Sequence, residues 1–357
     1  MAWECWPDRQ FWLKDSGLIK VLLICKPNKY CKMDFNPVYF VNSLLEKAIQ
    51  KKASDIHFHP QKDIVSIQLR IDGILQTIES VPSGFYLEIL NRIRVLSNMG
   101  TVSNNLPQDG RMEFTYQDTK KELRISLIPA FNGESLVIRI LSSKENIPTL
   151  EELGLKSEML QTTRELLARK EGLILATGPT GSGKTTTMYS LLSELFTKNP
   201  YLHIVSIEDP IEYQYPGFTQ IQVNENTGLT FPEILRAVLR HDPDIILIGE
   251  IRDKETADIA VRASLTGHLV FATLHTNDTE SSIHRFLDFE VNPILLSDSL
   301  LAVYNQRLVR KTCDNCQGKG CESCLGSGFS GRCASFELLQ INAEKRNEIK
   351  NLSFHKR

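Results

Sequence analysis

The sequence predicts an α/β protein built on a mainly parallel sheet, with a smaller α+β domain before it and a short four-cysteine element near the end. Three observations predict this. From residue 153 onward, apolar strand-like runs alternate with helical patterns, which implies parallel strands covered by helices on both faces. Before residue 141 the order is instead two helices among several half-buried strands. Finally, CDNCQGKGCESC places Cys313, Cys316, Cys321 and Cys324 within one short segment.

Each element has its own signal. Residues 1–32 hold Trp3, Trp6 and Trp12 together with Cys5, Cys25 and Cys31. They read either as an N-terminal appendage that packs aromatics onto the body or as sequence upstream of a start at Met33. In the α+β domain, 33–141, NPVYFVNSLLEKAIQKK has helical apolar spacing and ASDIHFHP reads as a strand. IVSIQLRID alternates as a half-buried strand, and Asp72-Gly73 marks a hairpin turn. A helix over 84–98 precedes strands in RMEFTY, ELRISLI and SLVIRIL. The polar stretch 142–152, with Pro148, reads as a linker. In 153–357, GLILATG, HIVSIED, DIILIGE and HLVFATLH read as strands. The helices between them are KTTTMYSLLSELFTK, FPEILRAVLR and KETADIAVRASL.

Composition excludes several classes. The formal net charge of −2 gives no whole-chain bias toward nucleic acid, so no direct nucleic-acid contact is expected. The early apolar run VLLIC is far short of the roughly 20 residues a membrane helix needs. The start, with acids and aromatics ahead of that run, is unlike a cleaved signal peptide. A cytoplasmic protein is expected, and there clustered cysteines favour metal over disulfides.

GPTGSGKT, residues 178–185, stands between a strand and a helix, the context that makes it a phosphate-binding loop. In the loop formed by Gly178, Pro179, Thr180, Gly181, Ser182 and Gly183, the glycines let successive backbone N–H groups curl around phosphate oxygens. Lys184 neutralises charge, Thr185 ligates Mg²⁺, and Thr186 continues the helix N-terminus. DIILIGE ends a buried strand at Glu250, a candidate for the metal or its water shell. IEDPIE, 207–212, delivers further acids from a second strand, at the edge where open α/β sheets bind ligands. His268 and His275 flank LVFATL, roughly 23 Å apart if extended. His275 lies on the phosphate side and is the sensing candidate; His268 reads as structural.

Taken in order, GPTGSGKTTT, IEDPIE, LRHDPDIILIGEIRDKETADIAVRASLTGH and LVFATLHTND resemble the Walker A, Asp-box, Walker B and His-box motifs of the secretion and type IV pilus-assembly ATPases. ASDIHFHP, RIDG and PQDGRM extend the resemblance over about 34–340. It implies a RecA-like P-loop ATPase domain preceded by a PAS-like α+β domain, with ATP and Mg²⁺ as cofactors. It further implies that Glu212 polarises water, that Glu250 is the Walker B acid, and that Arg111 and Arg124 reach over the nucleotide. Arg236, Arg240 and Arg252 match basic residues near the site or the subunit boundary. A hexameric homo-oligomer at the cytoplasmic face of the membrane is implied. It would act on pilin-like subunits indirectly, through a polytopic membrane platform protein.

Four thiolates spaced C-x₂-C-x₄-C-x₂-C suit tetrahedral, structural Zn²⁺, with Asn315 and nearby glycines supplying tight turns. Two disulfides are the competing reading, and the C-x-x-C-x-G-x-G halves share their geometry with the zinc repeats of Hsp40 chaperones. Cys333 is expected outside the site. Within the family resemblance, a tetracysteine element marks assembly rather than retraction ATPases. The short two-domain chain and HDPD at 241–244 resemble the ComG-type competence ATPases of Gram-positive bacteria, which build a pseudopilus for DNA uptake. Type II secretion or type IV pilus assembly is the alternative, followed by a RecA-like nucleic-acid motor and by a scaffold that binds ATP without hydrolysing it.

Overall fold

The computed structural model describes residues 23–24, 32–33, 35–100, 106–141 and 147–352. Most of the expected N-terminal appendage, with its tryptophans and cysteines, lies outside these residues, as do 142–146 of the expected linker. The described part of the appendage is β1 (Leu23–Ile24), which pairs antiparallel with β2 (Lys32–Met33). The chain divides after position 143 into two compact units.

The smaller unit begins with α1 (Pro37–Gln50), where Pro37 pre-sets the first turn and the Asn36 side chain accepts from the Val38 and Tyr39 N–H groups. β3 (Asp55–Pro60), β4 (Ile64–Ile71), β5 (Ile74–Pro82), α2 (Tyr86–Leu96), β6 (Gln108–Tyr116), β7 (Thr119–Ala130) and β8 (Gly133–Ile140) follow. The sheet order is β5-β4-β3-β8-β7-β6, antiparallel throughout. One sheet face buries Ile56, Phe58, Ile67, Leu69, Leu123, Ile125 and Ile138 in a single apolar core that also takes in Leu44 and Leu45 of α1 and Ile89 and Ile93 of α2.

β5 is an addition to the strands expected here. The Asp72-Gly73 turn is present, with φ of 49° and 82°. Its partner strand is an edge strand whose Gln76, Thr77, Glu79 and Ser80 hide any apolar alternation.

The larger unit comprises α3 (Ser157–Leu167), β9 (Gly172–Thr177), α4 (Lys184–Lys198), β10 (Ile204–Glu208), β11 (Thr219–Gln222), α5 (Phe231–Val238), β12 (Ile245–Ile248), α6 (Lys254–Ser264), β13 (Leu269–Leu274), α7 (Thr279–Asp288), α8 (Pro293–Ser299), β14 (Leu300–Thr312), β15 (Phe329–Gln340) and α9 (Ala343–Lys350). Its sheet runs β11-β10-β12-β13-β9-β14-β15. Every pair is parallel except the last. Strand β9 shows why both faces are covered: Leu173 and Leu175 join one apolar layer with α5 and α6, whereas Ile174 and Ala176 join the other with α3 and α4. A strand buried on both faces reads as a continuous apolar run, and GLILAT is one. Among the described residues, no helix is long and apolar enough to cross a membrane.

Arg94 is the largest buried charge in the smaller unit, and its guanidinium donates to Glu134 on β8. Glu134→Ala leaves that cation buried without its carboxylate and should cost about 3–5 kcal/mol in urea unfolding. Lys120→Ala, at the exposed Lys120–Glu113 pair, should cost less than about 1 kcal/mol.

Candidate functional site

The parallel register of β9, β10, β12 and β13 ends four strands at one edge of the sheet, and each hands over to a candidate residue there. β9 leads into the glycine loop and then α4, whose N-cap, Gly183, is left-handed (φ 89°) and supplies no side-chain cap. The first N–H groups of α4 therefore point outward without a side-chain acceptor, the arrangement that binds phosphate. The Ser182 hydroxyl is buried with no hydrogen-bond partner among the described residues. A backbone cradle and an orphaned buried hydroxyl fit a phosphate chain.

A cavity of about 430 Å³ opens over this edge. It is lined by Thr180 through Thr186, by Asp209 and Glu212 from the loop after β10, by Glu250 after β12 and by His275 after β13. Gly178 and Pro179 stand behind the loop, where their carbonyls accept from Lys184 Nζ at 2.9 and 3.2 Å. Burial holds the Lys184 ammonium below its ordinary value, with Glu250 and Glu212 pulling the other way. Thr185 and Glu250, the donors expected for Mg²⁺, both face the cavity, so the donor set fits a hard, oxygen-seeking cation.

His275 bridges the cation and the acid. Its Nδ1 lies 3.5 Å from Lys184 Nζ and its Nε2 lies 3.6 Å from Glu250 Oε2. The ammonium can only donate, so the tautomer serving both neighbours carries its proton on Nε2. Desolvation, followed by the charge of Lys184, lowers the imidazole below its ordinary value of 6.5. Glu250 also accepts from Arg252, which lies 3.6 Å from Asp209. Gly249 matters for a spatial reason: a Cβ there would fall 3.0 Å from the Ile207 carbonyl, so a side chain would crowd the close approach of β12 to β10.

Glu208, the last residue of β10, plays a different part from its neighbours. Its carboxylate is buried and accepts from Tyr189 and Ser206 at 2.5 and 2.6 Å, and burial raises it above the usual carboxylate range. His268 stands at the opposite end of β13, with Nδ1 3.1 Å from the Ala263 carbonyl. Arg236 pairs with Glu233 and Glu255, and Arg240 donates to the Arg236 carbonyl; neither lines the cavity. Leu308 on β14 and Arg332 on β15 do line it and have no motif that announces them.

In the smaller unit Arg111 and Arg124 are direct cross-strand partners on β6 and β7, and Arg139 on β8 is the next residue in the row. The three line a cavity of about 440 Å³. Arg139 donates to Asp55, whereas the buried Nε of Arg124 has no acceptor among the described residues.

The four cysteines close the turn between β14 and β15. Sγ separations are 3.9 Å for Cys313–Cys321, 3.7 Å for Cys316–Cys324 and 3.6 Å for Cys321–Cys324, so none is a disulfide. A tetrahedron with metal–sulfur bonds of about 2.3 Å has sulfur–sulfur edges of about 3.8 Å. The geometry therefore fits a four-coordinate soft cation, and Cys333 stands outside the cluster. Backbone N–H groups of Cys321 and Gly328 reach Cys324 Sγ at 3.2 and 3.3 Å, and that thiol is held down to about 6, first by the Cys321 N–H. The two knuckles pack glycine on glycine: a Cβ at Gly328 would fall 2.5 Å from the Gly318 carbonyl, and one at Gly320 would fall 2.7 Å from that of Gly326.

A phosphate loop closing a parallel strand, with acids and a histidine arriving from its neighbours, places the chain in the class of P-loop ATPases. More narrowly, it belongs to the Type II/IV secretion system protein family, whose family model matches residues 32–356. It is 40% identical over 337 residues to the type IV pilus assembly ATPase PilB of Thermus thermophilus, covering 87% of this chain and 38% of that one. With the type II secretion system protein HxcR of Pseudomonas aeruginosa it shares 42% over 320 residues, 87% of this chain and 68% of the relative. Among solved structures, the pilus retraction motor PilT with bound ADP matches at 32% identity and TM-score 0.62, over 87% of this chain and 85% of PilT. The Legionella pneumophila ATPase DotB shares the fold, with TM-score 0.70 at 24% identity over 91% of this chain and 85% of DotB.

The lowered His275 value has a definite sign. The neutral ring is favoured by the fold, so its contribution to stability is complete above 6.5 and is lost as pH falls through the lower folded value. An NMR titration of the His275 ring should give a midpoint below 6.5 in the native protein. Glu250→Gln removes the carboxylate that favours the protonated ring and should move that midpoint lower still.

Proposed function

We propose that this chain is the ATP-driven motor that assembles a filament of pilin-like subunits at the cytoplasmic face of a membrane, in a type II secretion or type IV pilus-assembly system. The observation that carries the reading is the single cavity onto which Lys184, Thr185, Glu212, Glu250 and His275 all converge. In this reading Thr180 to Gly183 and Thr186 cradle the phosphates, with Gly178 and Pro179 behind the loop rather than on the ligand; Lys184 neutralises the phosphates, and Thr185 and Glu250 hold Mg²⁺. Glu212 polarises the attacking water and His275 senses the γ-phosphate.

Arg111 and Arg124 act as arginine fingers from the smaller unit, whose PAS-like designation is supported by its antiparallel sheet with the first and last strands side by side. Loss of the γ-phosphate then releases the grip, and rotation about the 142–152 linker becomes mechanical work. A hexameric ring driving a polytopic membrane platform protein completes the proposal. The competence reading rests on chain compactness and HDPD, whereas PilB, HxcR and the type II secretion protein E of Klebsiella pneumoniae carry secretion and pilus-assembly names. These relatives favour secretion or pilus assembly over DNA uptake. The four-thiolate cluster, read as a structural Zn²⁺ site, supports assembly over retraction.

Deletion of the gene in its native host, scored in parallel for exported protein, surface pili and transformation, tests this directly. Loss of secretion or piliation is expected, and loss of transformation alone would favour competence. Neither Glu250→Gln nor Arg111→Ala combined with Arg124→Ala should complement the deletion, and phosphate release by either should fall at least about 100-fold. Purified protein should carry one zinc per chain by elemental analysis, and Cys324→Ser should abolish it and lower the thermal midpoint.

A further inference from the structure

We propose that Gln306 is a positioning residue for nucleotide binding by this ATPase, holding the curvature of the phosphate loop from behind. Gln306 sits on β14 immediately after Asn305, which pairs with Thr177 at the end of β9. Only 2% of it is exposed, and it does not line the cavity. It meets the loop at two places and α4 at a third. A Cβ at Gly178 would fall 2.3 Å from the Gln306 carbonyl oxygen, so the first loop residue lies directly against this backbone. A Cβ at Gly183 would fall 2.8 Å from Gln306 Nε2, so the last loop glycine lies against the carboxamide. Thr187, in the first turn of α4, donates its hydroxyl to Gln306 Oε1 at 2.7 Å. That bond fixes which way the amide faces: the oxygen is turned toward α4 and the nitrogen toward the loop.

The neighbours of Gln306 hold the strand itself. Asn305 Nδ2 and Arg307 both donate to the Asn277 carbonyl, at 3.2 and 3.1 Å, in the loop that begins with His275. Three consecutive residues of β14 therefore fix both nucleotide-facing loops. Gln306 touches the phosphate loop, and Asn305 and Arg307 touch the histidine loop. A buried glutamine that merely satisfied a threonine would need only one of these contacts. Its backbone carbonyl sets the start of the loop at Gly178, and its carboxamide, held by α4, sets the end at Gly183, so one residue is a template for the loop between them. Because the loop binds the phosphates in the ground state and the transition state alike, loosening it should weaken binding more than turnover.

The test is steady-state phosphate release by the full chain over a range of ATP concentrations, with ADP affinity by titration calorimetry and thermal unfolding measured alongside. Gln306→Met keeps the volume and removes the amide. It should raise KM for ATP and the ADP dissociation constant about five- to tenfold, the worth of one buried hydrogen bond, with kcat within about twofold. Thr187→Val should shift KM in the same direction, whereas Thr187→Ser, which keeps the hydroxyl but loses a methyl, should stay near wild type. A purely structural role predicts a lower thermal midpoint in Gln306→Met and Thr187→Val with KM for ATP unmoved. That result overturns the proposal, as does a larger KM shift in Thr187→Ser than in Thr187→Val, or an unchanged KM and ADP affinity in Gln306→Met. If Gln306→Met does not fold, the Thr187 pair decides alone.

Discussion

The site depends on parallel strand pairing. In an antiparallel sheet the ends of β9, β10, β12 and β13 would alternate between two edges, and the glycine loop, the acids and His275 could not meet. Parallel pairing is slightly weaker per residue and requires long crossovers, so it persists only where both faces are covered. Here α3 and α4 cover one face and α5 to α9 the other. The apolar layers are thus a condition for the chemistry, because they hold four strand ends in one register.

At that edge the electrostatics form a short relay. Lys184 is buried enough to lose affinity for its proton, and Glu250 and Glu212 favour its charged form. His275, neutral at physiological pH, lies between Lys184 and Glu250 and can accept from one while donating to the other. A phosphate entering the cradle would offer Nζ stronger, charged acceptors than the Gly178 and Pro179 carbonyls. His275 therefore faces the same ammonium that the carbonyls of the phosphate loop hold.

The larger unit's parallel strands were legible in the sequence because a strand buried on both faces is a continuous apolar run, and the phosphate loop because its glycines are required by backbone approach. Glu250 and His275 were legible from their position just past such runs. Other features left no local trace. β5 is an edge strand with polar residues on both sides of its pleat. Gln306, Leu308 and Arg332 belong to a hairpin whose importance lies in what it packs against, which no window of sequence displays. Arg236 and Arg240 matched family positions, yet in this chain they are held by Glu233, Glu255 and the α5 backbone. The smaller unit's arginine row was only partly visible: Arg111 and Arg124 came from motifs, whereas Arg139 joins them through sheet register.

The cysteine turn has a bearing on the hairpin beneath it. Residues 313–328 join β14 to β15 through a segment rich in glycine, and a flexible connection of that length carries a substantial entropy of closure. Its two knuckles close glycine on glycine, Gly318 against Gly328 and Gly320 against Gly326, and bring the four sulfurs together, which leaves less freedom than an open loop would retain. The ladder is consequently drawn together at its far tip as well as where β14 meets β9, and Leu308 and Arg332 lie between the two. Their place at the cavity is set by the packing of that turn as well as by strand pairing.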